Sequence, residues 1–473
     1  MGGAYRVQTR DSQQETRNFT FTNPAASLAP YLMQVFVNRD SGFGFRNIPW
    51  LSASRSWSAY QANPSLFTIT PAQAVAAETT RLNNSERLRE SVSAYYLEGE
   101  ASFLKSRLRV LTGVRFERTE DTGAGVLADP AAVWVRNADG TFARNAAGAR
   151  IRKSEAGAAG SMEELRLVRQ ERAYQATRSY DGYYPSLHLT YNITDRLLAR
   201  AGYARTYGRP NFTNIIPNAT VLENDLTNEQ IINDPNVILG AITVRNTGLK
   251  PWTANNYDLS LEYYTKAGGL YSAGVFQTDI KDFFGQSIRL ATAADVQELG
   301  LDERYIGWNV SSTFNSGDAR ITGAEFNLRH SLVALGNWAR YFTAFANGTK
   351  LRLEGHQQAN FSSFIPESAN WGLSFSPKKF NLVARWNYRG LDKRRAQPSV
   401  GPDGFNYIKA RTTLDLSFGY QLTRRLGFSA GINNVFKVSQ IDLRSGSETP
   451  AYARQFRERL GVIQIAAGLR GTF

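Results

Sequence analysis

The fold of this chain is decided by one short stretch, Asn256-Tyr257-Asp258-Leu259-Ser260-Leu261-Glu262-Tyr263-Tyr264. Its odd-numbered positions are apolar, whereas most of its even-numbered positions are polar or charged. Because successive side chains of a β-strand point to opposite faces, this alternation predicts a strand with one apolar and one polar face. The same pattern recurs at residues 186–193, 382–389 and 414–421.

Connections of two different lengths separate these strands. Tight turns are predicted at residues 104–105, 194–195, 267–268, 336–337, 377–378 and 423–424, and the other connections are long and rich in Gly, Asn, Asp, Ser and Ala. Short turns at one end and long loops at the other are typical of an outer-membrane barrel. Loops of this length are uncommon in a compact soluble domain.

The sequence therefore predicts an all-β fold, an antiparallel transmembrane β-barrel with about 14 strands. One long loop also contains a predicted short helix at residues 292–301, with Thr292 as its N-cap and Gly300 near its end. The predicted strands lie near residues 4–20, 86–102, 106–119, 180–193, 196–206, 256–265, 269–281, 319–332, 338–351, 367–376, 379–389, 410–420, 424–433 and 457–473.

Composition excludes several other classes of protein. The 473 residues contain no cysteine, which excludes disulfide scaffolds, thiolate metal sites and Cys nucleophiles. The chain also lacks an uninterrupted apolar run of about 18 residues, so it is not a helical membrane-spanning protein. Lys and Arg number 55 against 41 Asp and Glu, a net charge of +14. These basic residues are scattered along the chain, which argues against nucleic acid as a partner.

Five motifs give the chain a recognisable identity: residues 113–119 (Gly-Val-Arg-Phe-Glu-Arg-Thr), 201–212 with their Arg-Pro pair, 246–252, 323–326 (Gly-Ala-Glu-Phe) and 431–436 (Gly-Ile-Asn-Asn-Val-Phe). In this order they resemble the C-terminal barrel region of TonB-dependent outer-membrane receptors. The resemblance implies a location in the cell outer membrane of a Gram-negative-type bacterium. It also implies energy-coupled import of a scarce solute such as a ferric siderophore, vitamin B12 or a carbohydrate, and no enzymatic activity.

The chain departs from the family pattern at its start. Residues 1–10 contain no apolar export signal, and neither a TonB-contacting segment nor a plug domain is recognisable. A complete receptor resembling this one has about 22 strands around its plug. We therefore expect residues 1–473 to form the C-terminal portion of such a barrel, without a plug and not competent alone. TonB would be reached only through the absent N-terminal region.

The same reasoning predicts the partners of the chain. Open strand edges template association, so we expect poor folding or aggregation unless the missing plug and N-terminal strands are supplied. The resemblance implies that the terminal Phe473 is the signal read by the barrel-assembly machinery. Outer-membrane lipid is expected around the apolar face, and the basic loops are expected to contact lipopolysaccharide phosphates.

Polar residues on the alternating strands are candidates for the lumen face of the barrel. Two interpretations are open for them: a wall that guides a solute, or a mutually compensating network that hydrates the interior and contacts a plug. These lumen-facing candidates are Arg115, Glu117, His188, Arg200, Asp258, Glu262, Glu325, Asn327, Arg329, Arg385, Asn387 and Asp415.

Aromatic residues outside the apolar rows are candidates for contact with a ligand, or for packing within the loops. Tyr191, Tyr388 and Tyr420 fit the interfacial belts of a membrane barrel. The loop candidates for ligand contact are Trp57, Tyr60, Trp134, Tyr183, Tyr184, Phe283, Phe284, Tyr305 and Trp308.

No cofactor or enzymatic activity is expected from the sequence. The three histidines, His188, His330 and His356, share no metal-ligand spacing. No nucleophile elbow and no Gly-rich phosphate loop is present. Two alternatives to the receptor stay open: a stand-alone passive channel of the porin type, and a soluble basic β-rich binding protein.

Overall fold

A computed structural model describes residues 1–22, 27–37, 40, 44, 48–234, 237–266, 268–299, 301–355, 364–397, 404–447 and 449–471. Within these residues the strands are, in chain order, β1 Gly2–Ser12, β2 Thr20–Phe21, β3 Phe67–Thr68, β4 Glu86–Phe103, β5 Leu108–Ala128, β6 Arg169–Asn192, β7 Leu197–Gly208, β8 Ala219–Glu223, β9 Gly240–Val244, β10 Trp252–Tyr264, β11 Leu270–Leu290, β12 Asn309–Ser331, β13 Phe342–Gly355, β14 Glu367–Phe375, β15 Phe380–Arg389, β16 Asp392–Ala396, β17 Phe405–Ile408, β18 Arg411–Gln421, β19 Leu426–Asn433, β20 Gln440–Ser445, β21 Gln455–Arg459 and β22 Gln464–Gly471.

One antiparallel path of fourteen strands dominates the described part of the chain. Its order is β1-β4-β5-β6-β7-β10-β11-β12-β13-β14-β15-β18-β19-β22, so each strand pairs with the next strand of the path along the sequence. Short connections join these strands at one end, which we call the turn end, and long ones at the other, the loop end. The predicted all-β fold, its strand number and its paired-turn pattern are confirmed.

Alternation along the strands separates the sheet into two faces. Tyr257, Leu259 and Leu261 lie on one face and are about half exposed. Across the ladder Leu259 is opposite Ala201 on β7 and Val275 on β11, so the apolar face continues from strand to strand. Exposed apolar side chains in continuous rows are the expected surface of a strand that faces lipid.

Four strands, β5, β6, β11 and β12, extend furthest beyond the ends that the sequence predicted for them at the loop end. β5 continues to Ala128 and β6 begins at Arg169, and the two remain paired along this extension. β11 and β12 extend in the same way to Leu290 and Asn309. The sequence pattern predicts loops for these residues because the alternation of apolar and polar residues stops there, although the backbone hydrogen bonds between the strands continue.

A hairpin from the loop after β7 connects distant parts of the sheet at the loop end. β8 pairs with β9, and it also runs parallel to β5, where Leu127 is opposite Ala219. β9 runs parallel to β12, where Asn309 is opposite Ala241. The hairpin therefore bridges two strands that are five steps apart in the sheet order.

An apolar core lies beneath this hairpin. Gly125 on β5 is part of the close packing, because a Cβ at this position would lie 1.7 Å from the carbonyl oxygen of the buried Pro217. The loops at this end therefore pack into a layer with a buried core and are not extended into solvent. The buried core residues are Tyr174, Ala219, Val221, Ile242, Val244, Ala291, Val296, Leu299, Tyr305, Trp308, Val310 and Phe314.

Short helices occur in the loops. The predicted helix at residues 292–301 is confirmed as α7, and the Asp295 amide donates to the Thr292 hydroxyl at 3.2 Å as an N-cap requires. Gly300, predicted near its end, lies outside the described residues. The described helices are α1 Gln34–Val37, α2 Ala53–Ala62, α3 Pro71–Asn83, α4 Met162–Val168, α5 Phe212–Ile215, α6 Asn228–Asn233 and α7 Ala293–Leu299. None of these helices has the length and apolar content needed to cross a membrane.

A separate four-stranded sheet, which we call the loop sheet, lies in the two long connections β15–β18 and β19–β22. Its order is β16-β17-β20-β21. Within the described residues, β1 and β22 are the two ends of the large sheet and do not pair with each other.

Candidate functional site

The polar face of the sheet collects the predicted lumen-facing residues. Residues directly opposite each other in an antiparallel ladder share a face. His188 is opposite Gly202, which is opposite Asp258, and the rows continue in this way from β5 to β18. The residues that the register places on this one face are Arg115, Glu117, His188, Arg200, Asp258, Glu262, Glu325, Asn327, Arg329, Arg385, Asn387 and Asp415.

Several of these polar residues contact one another. The guanidinium of Arg115 lies 2.6 Å from a carboxylate oxygen of Glu117. Arg200 on β7 donates to Glu262 on β10 at 2.9 Å. The amide of Asn387 donates to Asp415 at 2.8 Å. Two ion pairs, Arg115–Glu117 and Arg200–Glu262, therefore compensate part of the charge on this face.

Asparagines form a row across four neighbouring strands of the same face. Asn327 is opposite Asn347, Asn347 is opposite Asn370, and Asn370 is opposite Asn387. The Asn370 amide donates to the Asn347 carbonyl oxygen at 3.1 Å. The sequence alone indicated only the two outer members, because the register that aligns all four is set by strand pairing.

A buried acidic cluster lies where β4 and β5 approach the loop end. Glu90, Glu117 and Asp121 are 3%, 5% and 2% exposed. Arg209, from the loop after β7, contacts both glutamates, and its Nη1 lies 3.2 Å from Glu90. The Tyr207 hydroxyl donates to Glu117. Because a buried carboxylate is costly without partners, this cluster fixes the loop against the two strands.

Sequence reasoning did not identify three members of this cluster, Glu90, Asp121 and Arg209. Arg209 belongs to the Arg-Pro pair quoted above, which was the available signal. Its partner Glu117 is 92 residues away in the sequence, so spacing could not reveal the contact.

A tandem repeat of turns fastens two loops to each other. Residues 136–140 (Arg-Asn-Ala-Asp-Gly) and 144–148 (Arg-Asn-Ala-Ala-Gly) form two similar tight turns. In each turn the glycine has positive φ, and the arginine donates to the carbonyl oxygen of that glycine, at 2.8 and 2.9 Å. Beyond the turns, Arg136 pairs with Glu223, and Arg144 pairs with Asp225. We call these two ion pairs the loop clasp.

A family model described as TonB dependent receptor-like, beta-barrel matches residues 1–435. This chain belongs to the TonB-dependent receptor family. The resemblance found in the five motifs is confirmed. Members of this family are receptors and transporters rather than enzymes.

Two curated relatives support the assignment of the chain to the TonB-dependent receptor family. An iron-regulated outer membrane virulence protein of Vibrio cholerae serotype O1 is 28% identical over 204 residues, which are 40% of this chain and 28% of that protein. The pesticin receptor of Yersinia pestis is 27% identical over 199 residues, which are 40% of this chain and 25% of that protein. The match therefore spans only a quarter or slightly more of each relative's length. The predicted location in the outer membrane of a Gram-negative-type bacterium is confirmed.

Solved structures of similar fold include two transport proteins. The ferric-catecholate import receptor Fiu of E. coli K12 has a TM-score of 0.49 and 12% identity, and covers 82% of this chain and 46% of its own. The copper transporter OprC has a TM-score of 0.47 and 14% identity, and covers 82% of this chain and 49% of its own.

The aromatic candidates of this TonB-dependent receptor lie in several different environments. Trp57 and Tyr60 are on α2 and stack at 5.3 Å, with Trp57 58% exposed. Trp308 and Tyr305 are buried in the core of the loop layer and meet edge to face at 5.1 Å. Trp134 lies under the Arg150 guanidinium, 4.5 Å away.

The assignment of four other aromatics to loops was wrong. Tyr183 and Tyr184 lie within β6, and Phe283 and Phe284 lie within β11 where its pairing with β12 shifts register. Tyr183 is 63% exposed beside Phe116 at 5.0 Å, whereas Tyr184 packs on Tyr207 at 4.4 Å. The extension of β11 past its predicted end at residue 281 carries Phe283 and Phe284 out of the loop, whereas Tyr183 and Tyr184 already lie inside the strand predicted at residues 180–193.

Two other predictions for this receptor concern its histidines and its last residue. Among the described residues, no group of three or more His, Asp or Glu side chains could hold a metal ion. His188 and His330 lie on strands at separate positions, and His330 accepts or donates a hydrogen bond with the Tyr271 hydroxyl at 3.1 Å. His356 and Phe473 lie outside the described residues.

Proposed function

We propose that this chain forms part of the wall of an outer-membrane receptor that imports a ferric siderophore with energy supplied through TonB. The observation that carries the proposal is the family match over residues 1–435. A curated relative whose name describes it as iron-regulated supports iron, rather than vitamin B12 or a carbohydrate, as the nutrient.

The polar face has the chemistry that passage of a hydrophilic solute requires. It contains the cross-strand ion pair of Arg200 and Glu262, and its asparagine row offers neutral donors and acceptors. A compensated wall of this kind holds water without binding either sign of charge tightly. We propose that the solute moves along this face when the passage opens.

The aromatic pair of exposed Trp57 and half-buried Tyr60 is the proposed first contact for the chelate. Its two rings are stacked at an interplanar angle of 23° and lie on a helix in the first long loop. Aromatic rings of this kind offer a large, rigid contact area to a flat aromatic chelate. The buried Trp308 is proposed to support the loop layer instead.

Uptake by cells tests the proposal. The protein should be produced from its native reading frame in a strain that lacks its own siderophore receptors, with and without TonB. We expect import of one class among ⁵⁵Fe-labelled catecholate, hydroxamate and citrate chelates, and we expect its loss without TonB. Vitamin B12 import in the strain that has TonB, compared with and without this protein, serves as the control and should not change. Iron import at equal rates in both strains would refute the proposal and would favour the passive channel.

A further inference from the structure

A basic cavity lies on the loop sheet, in the two connections that follow β15 and β19. Its volume is about 650 Å³. Five arginines line it together with the carboxylate of Asp442, and one of them, Arg394, also lies 2.7 Å from a carboxylate oxygen of Asp392. The arginines are Arg394, Arg395, Arg444, Arg457 and Arg459.

The single negative charge of Asp442 is shared by two arginines. Arg457 and Arg459 lie 2.6 and 3.0 Å from the same oxygen, Oδ2, and the Gln440 amide donates to Oδ1 at 2.9 Å. Two guanidiniums that share one carboxylate keep a net positive charge. Asp442 therefore orients the arginines without cancelling their charge.

Arg444 is held in place with donor capacity left over. Its guanidinium lies 4.1 Å from the ring centroid of Phe456, and the other side of the cavity brings Arg457 to 5.4 Å from that ring. Within the described residues, Nε of Arg444 is buried without an acceptor, and so is Oδ1 of Asn406 without a donor. Asn406 is directly opposite Arg444 in the β17–β20 ladder.

We propose that this cavity binds a multiply charged oxyanion, with phosphate groups as its preferred chemistry. Guanidinium groups present parallel N–H donors whose spacing matches phosphate oxygens. Several like charges fixed around one cavity repel one another, and a polyvalent anion removes that repulsion. The phosphates can belong to a lipopolysaccharide headgroup or to a soluble ligand. The site does not depend on the proposed import of iron.

Binding should be measured on the whole protein, produced from its native reading frame and extracted from outer membranes in detergent. The probes are inorganic tripolyphosphate and nanodiscs that contain lipid A. We expect saturable binding that weakens by about tenfold in Arg395→Gln and again in Arg444→Gln, since each change removes charge-assisted hydrogen bonds. Arg425→Gln, at the turn end, is the matched control and should bind like the parent protein.

A variant of opposite sign separates a binding role from a structural one. Asp442→Asn removes the only carboxylate described in the cavity lining, so we expect tripolyphosphate to bind more tightly. Weaker tripolyphosphate binding in this variant would overturn the proposal. A loss of binding in Arg425→Gln equal to that in the cavity variants would also overturn it, as would the absence of saturable binding to both probes. Arginine-dependent binding of the nanodiscs but not of tripolyphosphate would assign the site to lipopolysaccharide, and the reverse would assign it to a soluble anion.

Discussion

A single arginine placed on either face of one strand tests the assignment of the two faces. Leu259 on β10 is 55% exposed and lies between Ala201 and Val275 on the neighbouring strands. Tyr257 and Tyr263 are on the same face at either end of the apolar row, as expected of interfacial rings. Leu259 therefore lies near the middle of the lipid-facing surface, where Leu259→Arg should be most costly.

The neighbouring residue provides a control at the same depth. Ser260 faces the polar side, with Asp258 and Glu262 two residues away on the same face and Arg200 opposite it. An arginine at Ser260 keeps its charge among carboxylates and water. An arginine at Leu259 must enter hydrocarbon, which costs about 2–4 kcal/mol at the bilayer midplane. That cost corresponds to a roughly thirty- to thousandfold shift in the folded-to-unfolded ratio.

The measurement is guanidinium unfolding of the outer-membrane protein reconstituted in phospholipid vesicles, followed by tryptophan fluorescence. We expect the free energy of unfolding of Leu259→Arg to fall by most of this cost of about 2–4 kcal/mol. The free energy of unfolding of Ser260→Arg should stay within about 1 kcal/mol of that of the parent protein. Equal losses in the two variants, or a larger loss for Ser260→Arg, would refute the assignment of lipid and water to the two faces.

Four further outcomes are expected. Replacing Arg136 and Glu223 by alanine, singly and together, should give a coupling free energy of about 0.5–1 kcal/mol, and additive effects would mean that the loop clasp is not an interaction in solution. Gly125→Ala should destabilise by about 1–3 kcal/mol because its Cβ would meet a buried proline carbonyl, whereas Gly99→Ala, with no atom within 4 Å, should be near neutral in the same guanidinium titration. Burial raises the pKa of Asp442, but hydrogen bonds from Gln and Arg side chains outweigh burial and hold the pKa below its ordinary value. The stabilisation of the loop sheet by Asp442 is therefore complete above about pH 4 and is lost as the pH falls through the lowered pKa. Proteolysis of the loop sheet should accelerate in acid, and this pH dependence should vanish in Asp442→Asn. Finally, the 473-residue chain produced alone should associate through its unpaired edge strands, and a monomer that migrates heat-modifiably on a gel would contradict this.

The sequence contained enough information for the membrane-facing part of the sheet. Rows such as Tyr257, Leu259 and Leu261 are local, because the two faces of a strand are encoded by neighbouring residues. The tight turns were predictable for the same reason, since turn residues are read from a few positions. The order of strands in the sheet follows, because each tight turn joins two strands that are neighbours in the sequence.

The loop end was less predictable because its contacts are long-range. Nothing near Ala219 or Ala241 in the sequence shows that β8 and β9 will pair in parallel with β5 and β12. The repeat of Arg136 to Gly140 at Arg144 to Gly148 was visible as a sequence repeat, and it is the one signal that could have indicated the loop clasp. Its acidic partners lie more than 80 residues away.

The buried acidic cluster connects the two levels of this architecture. The apolar rows determine which face of the sheet meets lipid, but they do not determine where the loop after β7 sits. Arg209 contributes to this position, because it contacts both Glu90 and Glu117, which are buried on two different strands. Without Arg209, Glu90 would keep its contact with Arg6 and Glu117 its contact with Arg115, but the group that joins both strands to the loop would be lost. The acidic cluster thus holds the loop layer to the sheet together with apolar packing and strand pairing, whereas the apolar rows determine which face of the sheet meets lipid.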